Sequence, residues 1–587
     1  MNDGFQNDNG LLVAVNAWVA AFDAALAGSD AKAAAGLFEP DGHLRDILAC
    51  TWQFTTATGT EAIAGVLHRG VTETGLGGVC LARGRTAPRR VRRAGREVIE
   101  ALIEFGTTLG TGSGVVRLVA AGDRYLAWTL SLSLEALRGH EDVAVARHAS
   151  EEDYSRDFGG ANWLDKRMRD RAYADRDPAV IVVGGGQAGL GIAARLKQLG
   201  VDALIIDREA RIGDNWRKRY HALTLHNEVH VNHLPYMPFP PTWPVFIPKD
   251  KLANWFEAYV DALDLNFWTG TELVGGDYDA VAGAWTVTLR HTDGRERTMR
   301  PRHLVFATGV SSIPKMPRMS GLGDFDGMVI HSGAYTNGAD WQGRKTVVLG
   351  TGNSGHDVAQ DLHASGAQVT MIQRSPTYVV SIREAQSVYA IYTEGLPIED
   401  CDLLATAMPY PVLRQAYQIS TAASRLADKP LLDGLEARGF RLEFGEDATG
   451  FQMKYLRHGG GYYFNVGCSD LIIDGSVGLI QYDAIDRVVP EGIRMRDGRI
   501  VEAELIVAAT GYLNQQDVVR AYLGGEVADR IGPVWGFDEG GELRNMWRRT
   551  AQPGLWFTAG SLAQCRIFSK FLAVQIKACE LGLLPVV

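Results

Sequence analysis

The sequence predicts an α/β chain in which two nucleotide-binding units follow a small α+β unit. Three observations carry that prediction. Gly184-Gly185-Gly186-Gln187-Ala188-Gly189 and Gly350-Thr351-Gly352-Asn353-Ser354-Gly355 share the GxGxxG form. Each run follows an apolar segment and opens a stretch with helical apolar spacing, the strand-turn-helix order of a Rossmann-like unit. Residues 11–140 differ, with helical stretches first and strand-like runs after them. With 67 glycines in 587 residues one such run would be weak evidence, but two in matched context are not chance.

Length and composition bound the rest. A chain of 587 residues exceeds one core and should hold ~3 domains. The net charge of -10 and a pI near 5.8 argue against nucleic-acid or anionic-membrane partners. Six scattered cysteines include no CxxC, so neither a disulfide framework nor a thiol redox pair is expected, and a cytoplasmic location fits. No metal site is expected. The apolar run from Leu11 to Gly28 has no Lys or Arg before it and is interrupted by Asn16 and Asp23. It reads as an amphipathic first helix, and no membrane span is expected.

In the first unit, helices are expected at 11–28, 31–38 and 59–68, and strands at 97–107, 114–121 and 124–135. Gly110-Thr111-Gly112-Ser113-Gly114 and Gly122-Asp123 are the expected turns. The segment Asp41-Gly42-His43-Leu44-Arg45-Asp46-Ile47-Leu48-Ala49, then Trp52, resembles the opening of the nuclear-transport-factor-2-like (SnoaL-like) cone fold. That resemblance implies a sheet curled around helices and, by analogy, a homodimer. It makes His43 and Asp46 candidate pocket residues, although a structural Arg45–Asp46 ion pair is the favoured reading. Seven arginines between Arg83 and Arg96 read as a solvated strand edge facing acidic neighbours. The charged stretch 141–177, ending at Asp177-Pro178, reads as a linker.

From Ala179 the pattern repeats twice. Strand Ala179–Val183, the first glycine turn, a helix with Ile192, Leu196 and Leu199, and strand Val201–Asp207 form one copy. Strand Thr346–Leu349, the second turn, a helix with Val358 and Leu362, and strand Ala367–Arg374 form the other. Each is followed by an Asp-Gly hairpin (Asp293-Gly294, Asp497-Gly498) and an Ala-Thr-Gly triplet, Ala307-Thr308-Gly309 and Ala509-Thr510-Gly511. Residues 385–480, including Tyr462-Tyr463-Phe464-Asn465, are least constrained by these motifs and are the expected pocket wall.

The end of the second strand separates the two sites. Asp207, 23 residues after Gly184, accepts ribose hydroxyls and repels a 2′-phosphate, so the first site suits FAD or NAD. Arg374-Ser375, 24 residues after Gly350, suits a 2′-phosphate, so the second site prefers NADPH. Helix N-termini and bare glycine backbone hold each pyrophosphate.

Between the two runs lies Phe325-x-Gly327-x-x-x-His331-Ser332-x-x-Tyr335, and Ala509-Thr510-Gly511-Tyr512 follows them. In that order the motifs of residues 179–587 resemble those of class B flavoprotein monooxygenases. Leu223-x-Leu225-His226 and Met237-Pro238-Phe239-Pro240 resemble the plant indole-pyruvate (YUCCA) group, and Gly213-Asp214-Asn215-Trp216-Arg217 resembles the family's flavin-ring segment. The resemblance implies FAD, NADPH, O2 and a small organic substrate. NADPH reduces the flavin, a C4a-hydroperoxyflavin forms, and one oxygen atom passes to the substrate, by N- or S-oxygenation or by oxidative decarboxylation of a 2-oxo acid. It implies catalytic roles for His226, Asn227, His331, Ser332 and Tyr335. It implies cofactor contacts from Gly184, Gly185, Gly186, Gln187, Ala188, Gly189, Asp207, Arg208, Trp216, Arg217, Thr308 and Gly309. On the second site it implies Gly350, Gly352, Asn353, Ser354, Gly355, Arg374, Ser375, Thr510 and Gly511.

Tyr335 stands where Baeyer-Villiger enzymes carry Trp, which favours the flavin-containing monooxygenase type and leaves a Baeyer-Villiger enzyme as the alternative. A flavin disulfide reductase needs a close cysteine pair that this sequence lacks. A ligand-binding or scaffold module fused to a degenerate flavoprotein is countered by the intact glycines, Asp207 and Arg374. The expected layout is a cone domain at 1–150, a linker at 151–177, an FAD domain at 178–335 and 481–587, and an NADPH domain at 336–480.

Overall fold

The computed structural model describes residues 9–142 and 158–584. The first unit is a seven-stranded sheet, ordered Phe54–Thr58, Phe38–Ile47, Arg124–Leu137, Gly110–Ala121, Arg96–Gly106, Gly77–Leu81, with Arg89–Arg93 also paired to Arg96–Gly106. Helix Asn9–Ala27 packs Val15, Trp18, Phe22 and Leu26 into its core. Gly10–Ala27 has a mean hydropathy of 1.7 and by length and composition alone could cross a membrane, a test that a core helix also passes.

Three expectations for this unit need correction. The second helix stops at Ala35, because Phe38 enters a strand. Gly110, Gly112 and Gly114 lie inside strand Gly110–Ala121 rather than in a turn. A Cβ on Gly112 would meet the Ser133 carbonyl at 2.2 Å and the Phe105 ring at 2.4 Å, so these glycines serve close strand packing beside a register shift. Asp46 does not pair with Arg45. Its buried carboxylate accepts from the N–H groups of Ala49, Cys50 and Thr51 at 2.8–2.9 Å and from the Thr51 hydroxyl at 2.6 Å. Burial raises its pKa to about 6 against those bonds. His43, hydrogen-bonded to Thr58 at 2.9 Å, has its pKa lowered by burial. Neither residue lines a cavity.

The expected linker is partly helical: Trp163–Ala172 begins at an Asn162/Asp165 capping box, and Tyr173 donates to Asp202 at 2.6 Å. Residues 143–157 of that stretch lie outside the described residues.

The two later units repeat to the strand. One parallel sheet runs Asn266–Trp268, Ala203–Ile206, Val180–Val183, His303–Phe306, Leu555–Phe557. The other runs Gly478–Gln481, Gln368–Gln373, Lys345–Leu349, Leu505–Ala508, Met328–His331. Each also carries a three-stranded antiparallel sheet holding its Asp-Gly turn. Strands Met328–His331 and Leu505–Ala508 belong to the second sheet, so that unit spans about 328–508 and the expected seams at 335/336 and 480/481 are displaced. A buried apolar core runs unbroken from the first unit into the first nucleotide unit, with the Phe54 ring 6.2 Å from Phe568 and 6.1 Å from Phe571.

Candidate active site

The first glycine loop is built by close approach. Gly184 has φ of 109°. A Cβ on it would lie 2.7 Å from the Ala307 carbonyl, and one on Gly189 would lie 1.9 Å from the Gly184 carbonyl. Helix Gln187–Gln198 starts at Gly186 without a side-chain cap, leaving first-turn N–H groups for an anion. Asp207 accepts from Gly185 N at 2.6 Å and from Glu209 N at 2.9 Å, tying the second strand to the loop. Burial raises its pKa, opposed by those two bonds.

This loop opens onto a cavity of ≈ 1130 Å³. Gly184 to Ala188, Asp207, Arg208 and Trp216 line one part of it, and Thr308 and Gly309 another. Trp216 Nε1 donates to Gln187 at 3.2 Å. Arg217 does not line the cavity: its guanidinium turns to the Asp214 carboxylate at 2.5 Å and the Ile212 carbonyl at 3.2 Å. Thr308 Oγ1 is buried with no hydrogen-bond partner, a polar atom that calls for a ligand.

His226 and Asn227 lie on strand Thr224–Glu228 and both face the cavity. The His226 ring stands edge-on to Phe464 at 4.8 Å, and burial lowers its pKa to about 4, so it is neutral at pH 7. Gln386 holds this strand, donating to the His226 carbonyl at 2.9 Å and accepting from Glu228 N at 3.3 Å. The Asn227 side chain meets the Tyr389 hydroxyl, which also takes a 3.2 Å bond from Gln452.

At the seam between the two units, His331 Nε2 donates to the Gly511 carbonyl at 2.9 Å, and its Nδ1 accepts from Gly333 N at 3.0 Å. Burial lowers its pKa against the Gly511 bond. His331 lines the cavity, but Ser332 is buried behind it. Tyr335 also points elsewhere, donating to Asp361 at 2.5 Å on helix Asn353–Ala364. Thr510 donates to the Lys315 carbonyl at 2.6 Å and does not reach the cavity. The FxGxxxHxxxY motif thus meets the seam through His331, while Tyr335 ties it to a helix of its own unit.

The second loop copies the first. A Cβ on Gly350 would lie 2.4 Å from the Ala509 carbonyl, and one on Gly355 would lie 2.2 Å from the Gly350 carbonyl. Helix Asn353–Ala364 also begins without a side-chain cap, while Asn353 accepts from Phe464 N at 2.9 Å. Ser354, Arg374 and Ser375 are exposed at the outer edge. None of the second-site residues from Gly350 to Ser375 lines the cavity, so the two loops serve separate sites.

Sequence reasoning missed several wall residues. Trp547 and Phe568 line the cavity, as do Arg45 and Phe54 from the first unit, and none of them was expected there. Tyr389 and Tyr417 also line it and lie inside the expected pocket segment 385–480, as do Tyr462 and Phe464. The arginine cluster is also not a solvated edge. Arg89 and Arg93 pair with Glu100 and with Glu394 of the third unit at 2.6–2.8 Å, and Arg85 pairs with Asp400 at 2.7 Å. The acidic neighbours are there, but across a domain boundary. None of the six cysteines forms a disulfide, and the described residues contain no metal-binding cluster.

Two pseudo-repeated glycine loops, each with an uncapped helix start, define a protein that holds two dinucleotides. The pyridine nucleotide-disulphide oxidoreductase family matches residues 181–393. The rice (Oryza sativa subsp. japonica) indole-3-pyruvate monooxygenase YUCCA1 is 31% identical over 337 residues, covering 57% of this chain and 77% of that protein. The probable indole-3-pyruvate monooxygenase YUCCA4 of Arabidopsis thaliana is 29% identical over 57% of this chain and 75% of its own length. Among solved structures, cyclohexanone monooxygenase bound to epsilon-caprolactone superposes with a TM-score of 0.51 at 18% identity, covering 69% of this chain and 88% of that one. The NADP+-bound enzyme from Rhodococcus sp. Phi1 gives 0.50 at 17% identity, over 69% and 85%. Both solved structures share the fold.

The chain belongs to the class B flavoprotein monooxygenases, the family of the rice enzyme. It is an FAD-dependent monooxygenase that uses NADPH, and these relatives act on small organic substrates with O2. The residues fit both cofactors. The orphaned Thr308 hydroxyl, the uncapped helix and the cavity suit FAD, and exposed Arg374 and Ser375 beside the second uncapped helix suit the 2′-phosphate of NADPH.

Proposed function

We propose that this monooxygenase acts on a small aromatic 2-oxo acid and decarboxylates it oxidatively. The observation that carries this reading is the cavity wall. Beyond the glycine loop it includes Tyr389, Tyr392, Tyr417, Trp547 and Phe568, aromatic surface that complements a flat aromatic ring. The plant relatives are named for an aromatic 2-oxo acid of this type. The balanced reaction is R-CO-COOH + O2 + NADPH + H⁺ → R-COOH + CO2 + NADP⁺ + H2O.

Bound FAD, reduced by NADPH, supplies the oxygen chemistry. The chain orients and shields it. Gly184 to Gly189 and Asp207 hold the nucleotide; Asn227, with neutral His226 beside it, faces the reacting ring and the substrate. His331 joins the two nucleotide units through Gly511, and Tyr335 braces the second of them through Asp361. The aromatic wall keeps water out. Arg374 and Ser375 select NADPH. We read the first unit as a nuclear-transport-factor-2-like cone and place the enzyme in the cytosol, which suits cysteines that form no disulfide.

The test is turnover with NADPH and O2 on a panel of aromatic 2-oxo acids, tertiary amines, thioethers and cyclic ketones. Release of CO2 with the shortened acid is expected. Sulfoxide or N-oxide alone would replace this reading with heteroatom oxygenation, and a lactone would replace it with Baeyer-Villiger chemistry.

A further inference from the structure

The first unit contributes to the cavity and does more than abut it. Arg45 and Phe54 lie on the wall itself, and Arg93 and Arg117 line the same space. Arg117 is fully buried, donating to Glu100 at 2.8 Å and to the Ala407 and Leu404 carbonyls at 3.0 and 3.2 Å. Arg45 holds Glu542 at 2.6 Å and the Thr406 carbonyl at 2.6 Å. The polar face of the first sheet therefore grips the helical segment 382–458, an insertion in the second nucleotide unit that lends several residues to the cavity wall.

One element of that insertion is held at both ends. The short helix Gln386–Thr393 is fixed at its start by Gln386, through its bonds to the backbone on either side of Asn227. Just past its end, Glu394 receives both terminal nitrogens of Arg93 at 2.6 and 2.9 Å and the Arg89 guanidinium at 2.7 Å. Glu100 lies beneath both arginines and joins them to Arg117. Between the two anchors the helix places Tyr389 on the cavity wall, with its hydroxyl at Asn227. The Glu394 side chain is 24% exposed, and those of Arg93 and Arg89 are 12% and 21% exposed, so the clamp is shielded enough to hold a geometry.

We propose that Glu394, clamped by Arg89 and Arg93 of the first unit, is a positioning residue that sets Tyr389 against Asn227 and thereby keeps water from the flavin face. The first unit is then part of the oxygenation machinery. It governs how much reducing power reaches substrate and how much leaks as hydrogen peroxide. This inference rests on the reading that Asn227 faces the flavin.

The test uses the full-length flavin-loaded enzyme and the variants Glu394→Gln, Arg93→Gln, Tyr389→Phe and Glu394→Gln/Tyr389→Phe. The flavin is reduced by dithionite without oxygen and mixed with aerated buffer containing NADP⁺; flavin reoxidation and peroxide are followed. No substrate enters, so a wrong substrate class cannot affect the result, and the turnover panel tests that class separately. Glu394→Gln and Arg93→Gln should each speed reoxidation with peroxide release by about tenfold. Flavin content and melting temperature should stay near wild type. If Glu394 acts through Tyr389, the double variant should leak no faster than the faster single one. Wild-type leakage in Glu394→Gln would overturn the proposal, as would multiplying effects in the double variant. A leak that merely tracks a fall in melting temperature would reduce the clamp to a structural brace and overturn it equally.

Discussion

The two glycine loops offer an internal comparison. Both sit at the end of the central strand of a five-stranded parallel sheet, both start an uncapped helix, and both press a glycine against the Ala carbonyl of an Ala-Thr-Gly triplet. They differ at the end of the next strand and in what surrounds them. Asp207 is mostly buried and bonded to its own loop, whereas Arg374 is exposed. The first loop opens into a large cavity and the second onto the outer edge. The lesson is that backbone geometry makes a pyrophosphate site, one side chain selects the nucleotide, and distant segments decide which cofactor is enclosed for chemistry.

Matched substitutions in the two loops test that division with the largest effect. Gly189→Ala and Gly355→Ala place a Cβ at 1.9 and 2.2 Å from the preceding glycine carbonyl, so both distort their loop. Gly189→Ala should purify colourless, with flavin lost by more than about 100-fold in affinity, a cost of about 2.7 kcal/mol or more. Gly355→Ala should stay yellow but be reduced poorly by NADPH. A yellow, fully reducible Gly189→Ala enzyme would break the comparison. Circular dichroism of both variants separates cofactor loss from misfolding.

A smaller effect is expected at the selecting side chain. Arg374→Ala should raise the NADPH KM about tenfold, about 1.4 kcal/mol, and leave the NADH KM unchanged. An equal rise for both nucleotides would show that Arg374 supports the fold rather than reads the phosphate.

The smallest effect belongs to Thr308. Its hydroxyl is buried without a partner, so Thr308→Val should leave the flavin-free protein as stable or slightly more so, because an unsatisfied polar atom is costly. The same change should weaken flavin binding by a few-fold, about 1 kcal/mol, if the cofactor takes that hydrogen bond. Thermal melts with and without FAD measure both; equal shifts in the two would remove Thr308 from the binding set.

The parts of this molecule legible in sequence are those set by local rules. Glycines that must avoid a carbonyl, strands buried on both faces and Asp-Gly hairpins leave their pattern in a few adjacent residues, so both nucleotide units and their repeat could be read directly. The glycine-rich stretch 110–114 was misread for a related reason: glycines that relieve strand packing look the same in sequence as glycines that turn the chain. The cavity wall was mostly hidden. Arg45 meets Glu542 and Arg93 meets Glu394, contacts between residues hundreds apart that no spacing rule predicts. Tyr335 fell in a recognised motif, yet its hydroxyl faces Asp361 of its own unit, and of the motif's named residues His331 alone lines the cavity while Phe325, Ser332 and Tyr335 do not. Arg217 was drawn off by Asp214, three residues earlier in the same flavin-ring segment.

The strand order carries a consequence for how the protein is made. The sheet of the first nucleotide unit contains Val180–Val183 and His303–Phe306, but its edge partner is Leu555–Phe557, which leaves the ribosome after the whole of the second sheet. The second sheet draws all five strands from between Met328 and Gln481 or Leu505 and Ala508, so it can close while the first still waits with an open edge. Assembly then runs against the order of the chain: the later unit matures first, and the sheet beside the flavin site is completed only after it.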